Sequence, residues 1–599
     1  MKNNQWDYTK IGKIFGLLIL VISFLSVIVI KISNTVFYDN KIILDIFGIF
    51  DLLIMMLFVS LLNDKQTRIS DAIFLFCLVL TGFITPFLAN ETGVFVFEPK
   101  LIIREICFAI MLGECIILVK RLNNDKLKFG LNLFLYLVLC GYFVGVLVNV
   151  GYFFKFKSII SGNTLISIVG TNVNEVLEFS KSYFDISSAT LLAALFAVVY
   201  VGGKYVFSKA PIGTRCIGKP VYYFIILLLI IGIFDYGNRL YISKTFNDYK
   251  YIFKTQEQFK IAALNKKENF DTIINSGYSG IYVLIIGESL TRDNMSSYGY
   301  GVNTTPWAKS TSKDGNLILL KNPFSCWAST IGALNYALTE KSQYNDVDVS
   351  KATTIVEAAK KNGYKVSWIS NQQKYDFPTG IIAEISDRKY WVNQYLGQKI
   401  NSSTYDEKII EALKKEILIN EEKKLIVIHL MGSHQDYDDR FPKEYSKFSH
   451  QKTSEVQIQL DSYNNSVLYN DYIISQIYEV LFSNKNIPKA MLYFADHGEE
   501  VTYMFGHTVD KFEPSMYRIP VYIALSAQYK KEHGQIVENI ECNKTKYFTN
   551  DMVYDTMLGL MGVFNSGYND KQDITSDKYN GDKKTLKVSH GKIELEKCL

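Results

Sequence analysis

Polarity is distributed unevenly along the chain. Seven stretches of 17 or more mostly apolar residues occupy the first 240 positions, near 12–31, 43–62, 70–89, 102–119, 130–150, 187–207 and 220–236. Each is long enough to predict a helix across a hydrocarbon core of about 30 Å. Pro86 near the end of the third is tolerable in a membrane helix. Lys10 and Lys13 precede the first stretch as they would in a signal peptide, but six more spans follow and no small-residue cleavage site does, so it reads as an anchor. The segment 151–186, with FFKFKSII and NVNEVLEFSKSYF, is amphipathic and reads as lying on the outer membrane–water interface.

Past residue 240 the pattern changes. Residues 241–278 are polar, rich in Lys, Asn and Gln, and predict a helical connector. Short apolar runs then alternate with helical periodicity. IYVLIIGE (281–288), YKVSWIS (364–370), KKLIVIHL (423–430), MLYFAD (491–496) and IPVYIAL (519–525) predict strands. TTIVEAAKKNG, DEKIIEALKKEI and NSVLYNDYIISQIYEVL predict helices between them, the first stopped by Gly363. This alternation implies an α/β domain with a mostly parallel sheet sandwiched by helices, behind a multi-pass α-helical membrane domain. The expected boundaries are 1–240 for the membrane part, 241–278 for the connector and 279–599 for the outer domain.

Charge orients the spans. Lys2, Lys10 and Lys13, then Lys65 and Arg68, then Lys120, Arg121, Lys126 and Lys128, then Lys204, Lys209, Arg215 and Lys219 fall in alternate loops. The positive-inside bias therefore places the N-terminus in the cytoplasm, and seven crossings put the α/β domain outside. Asp51, Glu105 and Glu114 are the acids within spans, and a satisfied interhelical or interfacial position is the simplest reading of each. A net charge of +5, without basic tracts or basic–aromatic interleaving, excludes nucleic acid as a partner. None of the seven histidines precedes His429, so imidazole chemistry belongs to the outer domain.

Ligands of parallel sheets collect at the carboxyl ends of the strands. One strand ends at Glu288. A second contains His429 and is followed by Gly432, Ser433 and His434. A third ends at Asp496 and His497. Any one could be a solvated strand end; together, carboxylates and imidazoles delivered to one edge suit zinc and phosphoryl chemistry. SCWASTIGALNYALT (325–339) predicts a helix start with Ser329 or Thr330 in its first turn, where the dipole favours a bound phosphate or an alkoxide, although an ordinary N-cap explains the same residues.

IIGESLTRDNMSSYGY (285–300), TTP (304–306), SCWAST (325–330), HLMGSHQDYDDRFP (429–442), YNNSVLYNDYIISQ (463–476), ADHGEE (495–500), FGH (505–507) and YRIPVYI (517–523) occur in the order of a known family. Over roughly residues 280–525 the chain resembles the membrane-bound phosphoethanolamine transferases of the sulfatase and alkaline-phosphatase superfamily. The resemblance implies Thr330 as catalytic nucleophile, and Glu288, Thr330, Asp496 and His497 as ligands of one tightly bound Zn2+. It implies His434 and His507 around the phosphoryl group or a second zinc, and Asn371 at the donor head group. It implies phosphatidylethanolamine as donor, lipopolysaccharide (lipid A or a core sugar) or another envelope glycan as acceptor, and a bacterial inner membrane with the catalytic domain in the periplasm. The two N-terminal spans are additions to the family's usual five. Tyr336 stands where the family has a cysteine ten residues after Cys326, GSHQD replaces the usual GSHGP, and Cys542 with Cys598 is the pairing left to an oxidising compartment.

A phosphoglycerol transferase with the same nucleophile and metal is the near alternative, and a non-catalytic membrane scaffold the distant one. A sulfatase-type hydrolase lacks its C/S-x-P-x-R setting here, and a transporter lacks paired repeats.

Overall fold

The computed structural model describes residues 69–91, 99–156, 159–162, 164–165, 186–208, 219–265, 277–372, 379–393, 405–448, 454–483, 487–503, 506–507, 509 and 511–599. The chain divides into two compact units, 1–165 with 183–250 and 166–182 with 251–599.

In the first unit α1 (Ile69–Glu91), α2 (Pro99–Val119), α3 (Asp125–Phe156), α4 (Ile186–Val206) and α5 (Lys219–Gly237) fall on the third to seventh apolar stretches. The first two stretches, and most of the segment 151–186, lie outside the described residues. Among the described residues, Asp125–Phe154 and Pro220–Gly237 are long and apolar enough to cross a membrane, while Ile73–Leu88 and Ala193–Val206 are shorter apolar helices. Phe76, Phe87, Phe196 and Leu227 are exposed while Leu112, Cys115 and Ile116 are buried, an inside-out distribution that suits contact with lipid. At Gly82 a Cβ would lie 3.2 Å from the Glu105 backbone, so the bare position lets α1 and α2 pack closely. Glu105 accepts the Tyr241 N–H at 3.0 Å, at the start of α6 (Tyr241–Asn265), which makes this acid a satisfied interhelical contact.

The second unit is built on a seven-stranded mixed sheet. Its strands are β1 (Gly280–Gly287), β2 (Ile318–Leu319), β4 (Lys365–Ser370), β5 (Arg388–Trp391), β6 (Lys423–His429), β7 (Lys489–Ala495) and β8 (Val521–Leu525), in the order β2-β8-β7-β1-β6-β4-β5. β3 (Asn322–Phe324) pairs outside this sheet. The five strands from β7 to β5 are parallel. β8 runs antiparallel to β7, as does β2 to β8, so the sheet closes on a mixed edge. β1 and β7 are buried along their whole length, which explains why these strands are continuous apolar runs rather than alternating ones.

Around the sheet lie α7 (Pro306–Lys313), α8 (Thr330–Ala337), α9 (Ile355–Lys361), α10 (Glu407–Leu418) and α11 (Glu455–Phe482). Local chemistry sets their ends. Thr354 and Glu357 form a reciprocal capping box at the start of α9, and Gly363 follows its end with φ +82°. The buried Asp471 carboxylate accepts the Trp307 and Ala308 N–H groups at 2.8 and 3.1 Å, satisfying the first turn of α7.

Candidate active site

Strand register brings the ligands together. β1 lies between β6 and β7, with Ile286 opposite His429 and Gly287 opposite Ala495. The ladder continues past the strands: Asp496 N–H donates to Gly287 O at 3.0 Å and Leu290 N–H to His497 O at 3.0 Å. Glu288 and Asp496 therefore leave the sheet side by side. Gly432, at φ +56°, packs against Glu288, where a Cβ would lie 2.8 Å from the Glu288 carbonyl oxygen. Ser433 N–H also donates to that oxygen, at 3.0 Å. Ser289 holds φ +54°, a conformation costing a non-glycine residue about 1 kcal/mol or more. It is pinned by donating its N–H to Asp496 Oδ1 at 3.1 Å and by accepting the Tyr463 hydroxyl at 2.9 Å.

Thr330 opens α8. Its Oγ1 lies 3.3 Å from both Glu288 oxygens and 3.3 Å from His497 Nε2. His497 Nε2 in turn lies 3.4 Å from Glu288 Oε1 and 3.3 Å from Asp496 Oδ2. Glu288, Asp496 and His497 are buried and can each offer one ligand atom within 4.8 Å of the others. Burial opposes a charge on His497, but the Asp496 and Glu288 carboxylates hold its imidazole well above the ordinary range. Burial, then the neighbouring Glu288 charge, raises Asp496. Asp496 Oδ2 is buried and, beyond the His497 ring 3.3 Å away, makes no hydrogen bond. Two carboxylates, a hydroxyl and an imidazole that gives up its extra proton on coordination form a donor set that fits a divalent cation such as Zn2+.

A second cluster adjoins the first. His497, Glu499 and His507 also place ligand atoms within 4.8 Å of one another. The rings of His497 and His507 are 4.2 Å apart, and those of His434 and His507 6.4 Å. Burial pushes His434 down to about 3, with the Arg440 cation adding to it. His507 Nδ1 meets Glu499 Oε2 at 2.9 Å, and the Tyr437 hydroxyl donates to Glu499 Oε1 at 2.6 Å. Glu499 and Tyr437 orient this cluster; both lie in the quoted motifs ADHGEE and HLMGSHQDYDDRFP, but the sequence gives neither a role. Glu499 lies two positions past His497 in the same motif, a spacing that places it in the turn leaving the strand.

Asn371 sits at the end of β4, where its amide donates to Asp406 Oδ1 at 2.8 Å. Asp406 also accepts the Met431 and Gly432 N–H groups, both at 2.9 Å. Asn371 is thus tied to the loop carrying His434. Cys326, Cys542 and Cys598 are all free thiols, so the Cys542–Cys598 pairing that the sequence leaves open is not made: Cys542 is exposed while Cys598 is buried. The nucleophile loop is held by hydrogen bonds instead. Ser325 donates its hydroxyl to Asp496 O at 2.6 Å, and Asn550 accepts the Cys326 N–H at 2.8 Å while donating to Asp496 O at 2.7 Å.

The Sulfatase family model matches residues 281–563. Phosphoethanolamine transferase EptC of Escherichia coli K12 is 29% identical over 314 residues, 50% of this chain and 53% of EptC, so the chain spans about half the length of that relative. The C-terminal periplasmic domain of EptC, solved as a complex with Zn, is 25% identical, with 54% of this chain and 97% of that one covered and a TM-score of 0.49. Phosphoethanolamine transferase CptA of Salmonella typhimurium is 27% identical over 487 residues, 72% of this chain and 80% of CptA. The integral membrane lipooligosaccharide phosphoethanolamine transferase A (EptA) of Neisseria meningitidis is 17% identical with a TM-score of 0.59, covering 84% of this chain and 98% of that one, a likeness of fold. Residues 281–563 thus match the Sulfatase family model, and the chain is similar to the phosphoethanolamine transferases EptC and CptA.

Proposed function

We propose that this chain is a multi-pass inner-membrane enzyme whose periplasmic domain moves phosphoethanolamine from phosphatidylethanolamine to lipopolysaccharide, at lipid A or a core sugar, or to another envelope glycan. The observation that carries the reading is the Thr330 hydroxyl, at the first residue of α8 and 3.3 Å from both Glu288 oxygens and His497 Nε2. A hydroxyl there can be deprotonated, and the helix dipole favours the phosphoryl group it would carry.

Transfer takes two displacements. Thr330 Oγ1 forms a bond to phosphorus as the phosphorus–oxygen bond to diacylglycerol breaks. Thr330 gives up its proton to solvent before attack, Glu288 being reserved as a metal ligand, and the departing oxygen takes a proton from the histidine cluster. An acceptor hydroxyl oxygen then attacks phosphorus as the bond to Thr330 breaks, and the acceptor's proton passes to the histidine cluster, replacing the one given to diacylglycerol. Glu288, Thr330, Asp496 and His497 would hold Zn2+, which when bound neutralises charge on the Thr330 and phosphoryl oxygens. His434 and His507 hold the phosphoryl oxygens or a second ion, with Glu499 fixing His507 by its Nδ1. Asn371 contributes to the donor head-group side through the His434 loop. The apolar helices suit an enzyme whose donor is a membrane lipid.

Intact-mass analysis of the purified chain with phosphatidylethanolamine tests this directly. The expected result is an added phosphoethanolamine on wild type and none on Thr330→Ala, with zinc present in both. A phosphoglycerol adduct from phosphatidylglycerol would move the assignment to a phosphoglycerol transferase. No adduct from either lipid, together with no bound zinc, would sink the enzyme reading in favour of a scaffold.

A further inference from the structure

The helix carrying Thr330 is short and poorly secured by its own sequence. α8 has eight residues, and its N-cap Ser329 makes no side-chain capping bond. A helix of two turns does not hold itself in water, so its position is set by what packs on it. Residues 550–561 of the matched family domain pack against it, and His590, beyond that domain's end at residue 563, adds a separate set of contacts.

Three contacts converge from His590. Its N–H donates to Cys326 O at 3.1 Å, fastening the loop before the nucleophile. Its ring lies between Trp327 and Tyr336, with centroids 4.1 and 4.0 Å away and interplanar angles of 21° and 8°. Its Nε2 meets Gly332 O at 3.1 Å; the carbonyl can only accept, so Nε2 carries the hydrogen. Gly332 must lack a side chain, because a Cβ would lie 2.1 Å from the Trp327 ring. One imidazole thus ties the loop to the first and last turns of α8.

The tail that presents this ring is itself pinned. Ser589, His590 and Gly591 all hold positive φ, at +54°, +51° and +82°. Such conformations cost non-glycine residues about 1 kcal/mol or more and persist only where the surroundings over-determine them. Here Gln343 accepts the Gly591 N–H at 3.0 Å and donates to Lys587 O at 2.8 Å. Tyr517 OH and Ser589 Oγ are 2.6 Å apart, and Arg518 Nε donates to Cys598 O at 2.7 Å. Val588 and Leu595 are buried.

We infer that residues 587–598 form a clamp in which His590, stacked between Trp327 and Tyr336, is a positioning residue that holds Thr330 against Glu288 and His497. The inference rests on the reading of Thr330 as nucleophile. A nucleophile displaced by about 1 Å can lose roughly a hundredfold in rate, so a clamp on α8 acts on turnover rather than on donor binding.

The test compares full-length wild type, His590→Ala and His590→Phe by amide hydrogen exchange, zinc content and transfer from phosphatidylethanolamine vesicles. In His590→Ala, exchange over residues 327–337 should accelerate about tenfold or more while β1 stays unchanged. Its kcat should fall roughly ten- to a hundredfold with KM within about threefold and zinc retained. His590→Phe, which keeps a ring in the stack, should recover most of both. Wild-type exchange and kcat in His590→Ala would overturn the clamp, as would a His590→Phe no better than alanine in both readouts. If His590→Ala does not fold, Tyr336→Leu opens the stack from its other face and is judged by the same readouts. A wild type that transfers nothing would refute the functional reading, while the exchange comparison would still decide the clamp.

Discussion

The two ligand clusters at the sheet edge share His497 but are built differently. The first takes Glu288 and Asp496 from the ends of adjacent strands and Thr330 from a helix start, all fastened by backbone hydrogen bonds. The second takes His434 and His507 from two loops and depends on side-chain bonds through Glu499. The first is carboxylate-rich and attracts a cation. The second is imidazole-rich, and with His434 kept neutral it tolerates an anion without demanding one. A cation-binding cluster beside an imidazole-rich one would suit the displacement at phosphorus proposed above. The rigid half belongs to regular structure, and the adjustable half to loops.

The sharpest way to break the comparison is Thr330→Ala. Adduct formation should fall by about a thousandfold or more, while zinc stays within about tenfold of wild-type affinity because three ligands remain. Mass spectrometry and metal analysis on one preparation read both. Next in size is the contrast between Asp496→Asn and His434→Ala. Asp496→Asn should weaken zinc by at least about a hundredfold. His434→Ala should leave the first zinc in place and slow transfer by about ten- to a hundredfold. Equal zinc loss in both variants would show that the clusters are one site.

The first cluster was largely legible in sequence, and the second only in part. A strand buried on both faces is a continuous apolar run, so its carboxyl end is marked by the first acid after it: Glu288 and Asp496 both fall there. The residues alone narrow the hydroxyl to a helix start shared by Ser329 and Thr330, the family resemblance points to Thr330, and its Oγ1 lies 3.3 Å from Glu288 and His497. Glu499, Asp406 and Tyr437 were not visible in that role because their work is done between segments far apart in the chain, as in the bond from Tyr437 to Glu499. Nothing local to His590 foretells a stack with Trp327 and Tyr336 some 250 positions earlier. The antiparallel β8 escaped notice for a related reason. Its apolar run fits either direction, and direction is set by the long connection after β7. Cys542 and Cys598 are not paired, and cysteine count alone could not decide it, since it says nothing of whether two thiols face each other.

The backbone half of the contrast is tested by Gly432→Ala. Alanine must adopt φ +56° and push its Cβ into the Glu288 backbone, 2.8 Å from the carbonyl oxygen. Unfolding free energy should fall by about 2–4 kcal/mol, with zinc affinity falling beside it. A stable variant with normal zinc would mean that this loop does not fix Glu288. The protonation half is tested by pH. In the metal-free domain the two carboxylates hold His497 above the ordinary range, so its proton competes with the metal throughout neutral pH. Zinc affinity of the first cluster should therefore drop about tenfold for each unit of acidification from pH 8.5 to 6.5. His434 is neutral over the same window, being pushed down to about 3, and adds no slope. A chelator competition series that is flat with pH would contradict the assignment of His497 as the protonated partner.

The smallest expected effect isolates the loop cluster. Tyr437 is buried, stacks edge-on to Tyr463 at 5.0 Å and donates its hydroxyl to Glu499 Oε1 at 2.6 Å. Tyr437→Phe keeps the ring and its packing and removes only that donor. Glu499 keeps its bond to His507 Nδ1 but loses a restraint on its other oxygen. A hydrogen bond to a carboxylate is worth about 1.5–3 kcal/mol, part of which water or a rotated carboxylate recovers. Transfer should therefore slow by about three- to tenfold through a looser His507, with zinc in the first cluster and its pH slope unchanged. Crossing Tyr437→Phe with His507→Ala gives the decisive reading. If Tyr437 acts through His507, its effect should vanish in the double variant. Two effects that multiply would instead assign Tyr437 an independent role, and the line from Tyr437 through Glu499 to His507 would no longer be one unit.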